Sequence, residues 1–290
     1  MKSLVKEHSP QARAQLRQFV ANARYEIIPL ESTADNVTLH VPKDVRLTIT
    51  ASPARGQDAT IALAETLAGH GYVVAPHLSA RLVRDHRHLT EIVTRCRSAG
   101  ITACFVIGGD PTETSSEFAD AYALLSALHG LDHSFTSIGI GGHPEGQPSV
   151  EDSVLIEALE CKAPLAHYIT TQICFDPTTI VAWSDQLERH GIDLPIHVGV
   201  PGAVRRKKLI RISGRLGIGE SARFLKKQHD LFLRFFRPGG YSPDHILNGI
   251  ASHLNITGSN IGGIHIFTFN DLEATEAWRQ RTLRKLARTP

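Results

Sequence analysis

The chain has 290 residues, 42% of them hydrophobic, a length that suits one β/α barrel of about 250 residues with extensions. Its formal net charge of +2 is too small to indicate a nucleic-acid or membrane partner. No apolar run approaches the roughly 18 residues of a membrane span, and no signal peptide opens the chain. The four cysteines form no CxxC pair, so we expect reduced thiols and a cytoplasmic protein.

Eight short apolar segments, rich in β-branched and aromatic residues, predict strands. They read as nearly continuous apolar runs, which is typical of a parallel sheet that is buried on both faces. In chain order they are Tyr25–Ile28, Leu47–Thr50, Tyr72–Pro76, Ala103–Ile107, Ser137–Ile140, Tyr168–Phe175, Ile196–Val200 and Ile264–Phe269.

Between these strands, apolar positions recur at the three- and four-residue spacing of amphipathic helices. The predicted helices are Asp58–Ala68, Arg87–Ser98, Glu117–Leu128, Val150–Leu159, Thr178–His190 and Ser242–Leu254. Strands that alternate with helical sequence favour an α/β fold, a TIM (β/α)8 barrel, over an open doubly wound sheet. No linker or repeat divides the chain, so we expect residues 1–290 to form a single catalytic domain.

Polar residues at the predicted strand ends are candidates for chemistry, because barrel enzymes place their sites there. Glu26 lies inside the apolar first strand, where burial should raise its pKa, although a pairing with an arginine is an equal alternative. Asp110 follows Gly108 and Gly109 and could simply cap the next helix. Gln172 in the sixth strand offers a donor and an acceptor to a heterocycle edge.

Other features are less specific. His77 follows the third strand, but a lone histidine is more often structural. The glycine-rich segment that contains His143 does not open a helix and is a weak phosphate loop. The basic residues at 205–208, 211 and 215 could bind a polyanionic tail or a nucleotide phosphate, although a solvated helix face is the commoner explanation.

Taken in order, seven segments resemble the methylenetetrahydrofolate reductase family over nearly the whole chain. Each match is short, but their order and their places at strand ends are hard to obtain by chance. The segments are YEIIP at 25–29, IT with GQD at 49–58, APHL at 75–78, IGGDP at 107–111, GHPEGQP at 142–148, ITTQICFD at 169–176 and HIFTFN at 265–270.

The resemblance implies a TIM barrel that binds tetrahydrofolate across the strand ends and uses NAD(P)H as hydride donor. It implies that Glu26 is the acid that helps to open the methylene bridge. It also implies that Asp110 orients the pterin and favours its positive charge, and that Gln172 hydrogen-bonds the pterin edge. All three would therefore be catalytic and folate-binding residues.

The resemblance also implies FAD, but several flavin-binding positions are changed. Thr50 and His77 remain, whereas Gly108, beside Gly109, replaces the motif arginine. In the fifth-strand motif, His143 replaces a tyrosine and Gln147 replaces a histidine. Two mechanisms therefore stay open: one through FAD in an altered pocket, and one in which NAD(P)H passes hydride directly to the folate. The enzyme could also run in the oxidative direction, from methyl- to methylene-tetrahydrofolate, in methyl-group catabolism.

Two other classes of function are compatible with the sequence. A folate-binding methyltransferase barrel would use the aspartate and the amide but would have less need of an acid at Glu26. A non-catalytic folate-binding partner subunit would not require the candidate residues to share one pocket. We expect small-molecule partners, folate and a nicotinamide nucleotide, with neither nucleic acid nor membrane; a homo-oligomer stays open.

Overall fold

The computed structural model describes residues 8–109, 116–147, 150–203, 243–251, 253–254 and 260–287. Eight parallel strands form a closed barrel in chain order, and β1 pairs with both β2 and β8 to close it. The strands are β1 Arg24–Ile27, β2 Arg46–Ile49, β3 Val74–Ser79, β4 Ala103–Ile107, β5 Ser137–Gly142, β6 Tyr168–Thr171, β7 Ile196–Pro201 and β8 Ile261–Phe267. The predicted TIM barrel is therefore confirmed.

Helices follow the strands and surround the barrel. Their bounds are α1 Pro10–Ala21, α2 Thr33–His40, α3 Gly56–Gly69, α4 His86–Ser98, α5 Ala121–His129, α6 Asp152–Lys162, α7 Pro177–Arg189, α8 Asp244–Ala251 and α9 Leu272–Ala287, with a 3-10 turn at Ala163–Leu165. None of the helices within the described ranges is both long and apolar enough to cross a membrane.

The buried core lies between the barrel and the helices. Alternate residues of each strand point outward into this layer, and the others point into the barrel. Tyr25 of β1 points outward, because its hydroxyl donates to Glu276 of α9 at 2.7 Å. Arg24 and Glu26, its neighbours along β1, therefore point into the barrel. The result is an interior that is unusually rich in polar side chains.

Element boundaries differ from the sequence-based ones where capping or turn residues intervene. The helix expected from Glu117 begins at Ala121, because the Asp120 side chain accepts from the backbone N–H of Ala123 at 2.9 Å and caps it. The sixth strand ends at Thr171, four residues early, and Asp176 caps α7 with Pro177 in its first turn.

Other differences concern whole elements. The sequence pattern did not predict α1, α2 or α9, and β3 begins and ends later than expected, at Val74 and Ser79. The last predicted helix is present as α8, while its expected start at Ser242 lies outside the described residues.

Candidate active site

The first feature of the site is a carboxyl group in the barrel interior. Glu26 lies on β1 near its carboxyl end, and 15% of its side chain is exposed. Two histidines contact the same oxygen of Glu26: Nε2 of His265 lies 3.1 Å from Oε2, and Nε2 of His77 lies 3.6 Å from it. Glu26 therefore hydrogen-bonds to His265 and lies beside His77, and the alternative of an arginine pair finds no support among the described residues.

Burial governs the protonation of Glu26, His77 and His265. Loss of hydration raises the pKa of Glu26 from 4.5 to about 7, against a smaller opposing effect of His77. Burial lowers the pKa of His77 to about 4 and that of His265 to about 3. At neutral pH both imidazoles are therefore uncharged, and the carboxyl group is close to half protonated. A carboxyl group in this state can donate or accept a proton.

The segment after β8 holds the end of β1 in place around Glu26. The Thr268 hydroxyl donates to the carbonyl oxygen of Glu26 at 2.6 Å. The Asn270 side chain accepts from the N–H of Ile28 at 2.8 Å and donates to its carbonyl at 2.9 Å. Asn270 has a φ of 54°, in the left-handed region that asparagine tolerates better than most residues. The HIFTFN segment thus supplies both a partner and a backbone clamp for Glu26.

A buried amide fixes the strand that carries His77. Gln57 of α3 donates to the carbonyl of His77 at 2.6 Å and accepts from the N–H of Ser79 at 3.0 Å. The His77 ring packs 4.7 Å, centroid to centroid, from Phe105 of β4. His77 is 6% exposed, so the ring belongs to the barrel interior and not to the surface of the mouth.

Gln172 lies one residue beyond β6, at the same end of the barrel as Glu26. Its side chain is exposed, and its N–H donates to the carbonyl of Gly142 at 2.7 Å. Its own Oε1 accepts from the N–H of Ile173 at 3.0 Å, which orients the amide. The exposed amide is available to a ligand that covers the mouth.

The end of β4 is described only as far as Gly109, so Asp110 lies outside the described residues, as does the basic segment at 205–215. Gly109 has a φ of 82°, and a Cβ there would lie 2.2 Å from the Ser79 hydroxyl oxygen. Only glycine fits this turn. Gly108 contributes no side chain where the motif has an arginine.

The remaining cofactor candidates lie after β5 and β2. Gln147 Nε2 approaches the His143 ring, 2.8 Å from its Nε2. Burial and the charge of Lys162 lower the pKa of His143 to about 4, so the ring is neutral at pH 7. Thr50 directly follows β2 and is half-buried. Its N–H donates to the carbonyl of Ile27 at 2.9 Å.

Sequence reasoning did not anticipate that His265 is a partner of Glu26. The two residues are 239 positions apart, and no local pattern connects them. One signal was present: His265 opens the HIFTFN segment and occupies an inward-facing place on β8, the strand that closes against β1.

The fold and this site define a class, a (β/α)8 barrel with a buried acid near the carboxyl ends of its strands. A profile of the methylenetetrahydrofolate reductase family matches residues 26–217. The chain therefore belongs to the methylenetetrahydrofolate reductase family.

Individual relatives are distant. Methylenetetrahydrofolate reductase 1 of Schizosaccharomyces pombe (strain 972 / ATCC 24843) is 30% identical over 114 residues, which is 37% of this chain and 19% of that protein. The matched region thus spans about a fifth of that relative.

Two solved structures similar to this chain share less of its sequence. A muconate cycloisomerase from Azorhizobium caulinodans has a TM-score of 0.45 at 12% identity, over 85% of this chain and 54% of that one. A protein described as a lyase/mutase from Burkholderia cenocepacia J2315 has a TM-score of 0.48 at 14% identity, over 95% and 85% of the two chains.

Proposed function

We propose that this chain transfers a hydride between NAD(P)H and the one-carbon unit of methylene- and methyl-tetrahydrofolate, with Glu26 as the acid–base group. The observation that carries the proposal is the buried Glu26 carboxyl, whose pKa of about 7 lies near the pH at which it would work. A barrel that only bound folate would gain nothing from burying an ionisable acid between two neutral histidines, because that burial costs stability.

In the reductive direction, protonated Glu26 gives its proton to the amine nitrogen that leaves as the methylene bridge opens. The carbon is left as an iminium ion, which accepts the hydride of NAD(P)H and becomes the methyl group. One proton and one hydride are consumed, so the ionised Glu26 must take up a proton before the next turnover. Gln172 holds the pterin edge, and Asp110 favours the positive charge of the iminium state.

The described residues at the flavin positions do not fit a flavin in the family's manner. His77 is turned into the barrel against Glu26 and Phe105 and is 6% exposed, which leaves little of its ring for contact with a cofactor. Gly108 provides no cation for a diphosphate, and His143 is neutral and engaged by Gln147. We therefore propose direct transfer from NAD(P)H to folate, both held at the mouth in a near-attack arrangement.

The same carboxyl group supports the reverse reaction. Above pH 7 the ionised form of Glu26 prevails, and this form accepts the proton released when the bridge closes again. The oxidative rate should therefore rise with pH through about 7, and the reductive rate should fall. Oxidative removal of methyl groups is within the proposed chemistry.

The decisive variant is Glu26→Gln, which keeps the shape of the side chain and removes its proton chemistry. We expect hydride transfer to fall by about 10²- to 10⁴-fold, the usual contribution of a general acid, while calorimetry shows folate binding retained. Glu91→Gln, at an exposed glutamate of α4, is the matched control. Hydride transfer at the parent rate in Glu26→Gln would contradict the assigned role, and folate-dependent methyl transfer without hydride transfer would favour a methyltransferase.

Gln172→Ala tests the folate-binding edge. Loss of a hydrogen bond to the pterin should raise the KM for folate by about tenfold and leave the KM for NAD(P)H unchanged. Gln18→Ala, at an exposed position of α1, serves as control. An unchanged KM for folate would remove Gln172 from the binding site.

A further inference from the structure

A buried cation lies in the half of the barrel away from the proposed active site. Arg24 begins β1 and points into the barrel on the same side as Glu26, nearer the amino-terminal end. It is 9% exposed, and its guanidinium carbon lies 3.9 Å from the centroid of the Tyr168 ring. Its buried Nε has no hydrogen-bond partner among the described residues.

No acid balances this charge within the described part of the chain. The other ionisable groups that act on Arg24 are Tyr168 and Arg46, and Arg46 is its Cα partner on β2. His197 of β7 packs edge-on against Tyr168, with ring centroids 5.3 Å apart. Burial and the charge of Arg24 lower the pKa of His197 to about 3, so His197 is neutral. His265, on the Glu26 side, is neutral for the same two reasons.

An arginine keeps its charge in proteins, and a buried charge is costly unless it is paired. Stacking on a tyrosine ring gives only part of the compensation. Nδ1 of His197, also buried, has no hydrogen-bond partner among the described residues, and the buried Tyr168 hydroxyl interacts with Arg24 without forming a hydrogen bond of normal geometry. Buried polar groups of folded proteins almost always have one. The cluster holds two arginines and no carboxylate to balance them, so it is suited to an anion.

Close packing of Tyr168 and His197 against neighbouring strands limits any bound anion to a small one. A Cβ at Gly139 would lie 2.3 Å from Cζ of Tyr168, and a Cβ at Gly263 would lie 2.7 Å from Nδ1 of His197. Each ring therefore occupies the space that a side chain on the neighbouring strand would otherwise take. The accessible side is the rim, where the Arg46 side chain is exposed.

We propose that Arg24, Arg46, Tyr168 and His197 bind a small inorganic oxyanion at the amino-terminal end of the barrel. The planar guanidinium groups match two oxygens of such an ion, and the tyrosine hydroxyl can donate to a third. The site is separate from the mouth that would bind folate and nucleotide, so it stands or falls independently of the proposed reaction.

Phosphate is the probe for this site. The full chain is exchanged into a gluconate buffer free of chloride and phosphate, and phosphate is added at constant ionic strength. We expect a saturable rise in melting temperature, because a ligand that binds the native state stabilises it. Equilibrium dialysis should show binding that Arg46→Gln weakens by about tenfold, as expected for the loss of a charge-assisted contact.

Two further variants complete the test. Arg87→Gln, at an arginine whose side chain is 89% exposed, should bind phosphate like the parent chain. Arg24→Gln should lose the phosphate dependence; if it fails to fold, Arg46→Gln decides, since that position is exposed. Absence of saturable phosphate binding, or unchanged affinity in Arg46→Gln, would overturn the proposal.

Discussion

Replacement of Glu26 by glutamine should change the stability of the protein in a way that depends on pH. The folded pKa of about 7 lies above the ordinary 4.5, so the folded state binds the proton more tightly than the unfolded chain. Below pH 4.5 the group is protonated in both states and carries no penalty. As pH rises through 4.5 to 7, the unfolded chain ionises first, and stability is lost until both states are ionised.

The size of the effect follows from the shift. A pKa raised from 4.5 to about 7, at about 1.4 kcal/mol for each tenfold change in proton affinity, gives a penalty of about 3 kcal/mol at pH 8.5. At pH 5 the same relation leaves a penalty of about 1 kcal/mol. Glu26→Gln should therefore gain about 2 kcal/mol relative to the parent between these two pH values, because an amide has no charge to bury.

Urea unfolding of both proteins at pH 5 and pH 8.5 measures this difference, with Glu91→Gln as the exposed control. The control should follow the parent at both pH values. If Glu26→Gln and the parent change in parallel, within about 0.5 kcal/mol, Glu26 has an ordinary pKa and the electrostatic argument for a buried acid is refuted.

Two changes test the packing of the barrel strands. Gly139→Ala should destabilise the protein by about 1–3 kcal/mol, because its Cβ would lie 2.3 Å from Tyr168. Gly141→Ala, two residues further along β5, should cost much less, because no atom lies within 4 Å of a Cβ there. Thermal melts that show equal losses of stability for the two variants would contradict this packing. Tyr25→Phe should cost about 1–3 kcal/mol by leaving the buried Glu276 carboxylate with one hydrogen bond fewer, and a variant as stable as the parent in urea would contradict that contact.

The barrel could be predicted from sequence because its strands are almost wholly buried. All six residues of β3 are buried, for example, and such strands appear as short apolar runs that turn residues separate. The ends of the strands were less predictable. The run from Tyr168 to Phe175 is rich in β-branched and aromatic residues to its end, but the pairing stops at Thr171 because the next residues lead into α7.

The site was predictable in part, and for a related reason. Glu26 stands out as a carboxylate in an apolar strand, so its burial and raised pKa followed from local sequence. Its two histidine partners come from β3 and β8, and only closure of the barrel brings them to it. His77 was assigned to a cofactor from its motif, and the packing that turns it towards Glu26 is not visible locally.

The uncompensated charge of Arg24 depends even more on tertiary structure. An arginine at the start of a strand is ordinary in sequence, and its neighbours Tyr168 and His197 are more than a hundred residues away. Only the closed barrel brings them together.

An anaerobic assay of the purified protein with methylene-tetrahydrofolate and NADH or NADPH, combined with its visible absorption spectrum, tests the central claim most directly. The account predicts turnover by colourless protein, unchanged by added FAD and faster below pH 7 than above it. No turnover with either nucleotide, in either direction and with or without FAD, would contradict it.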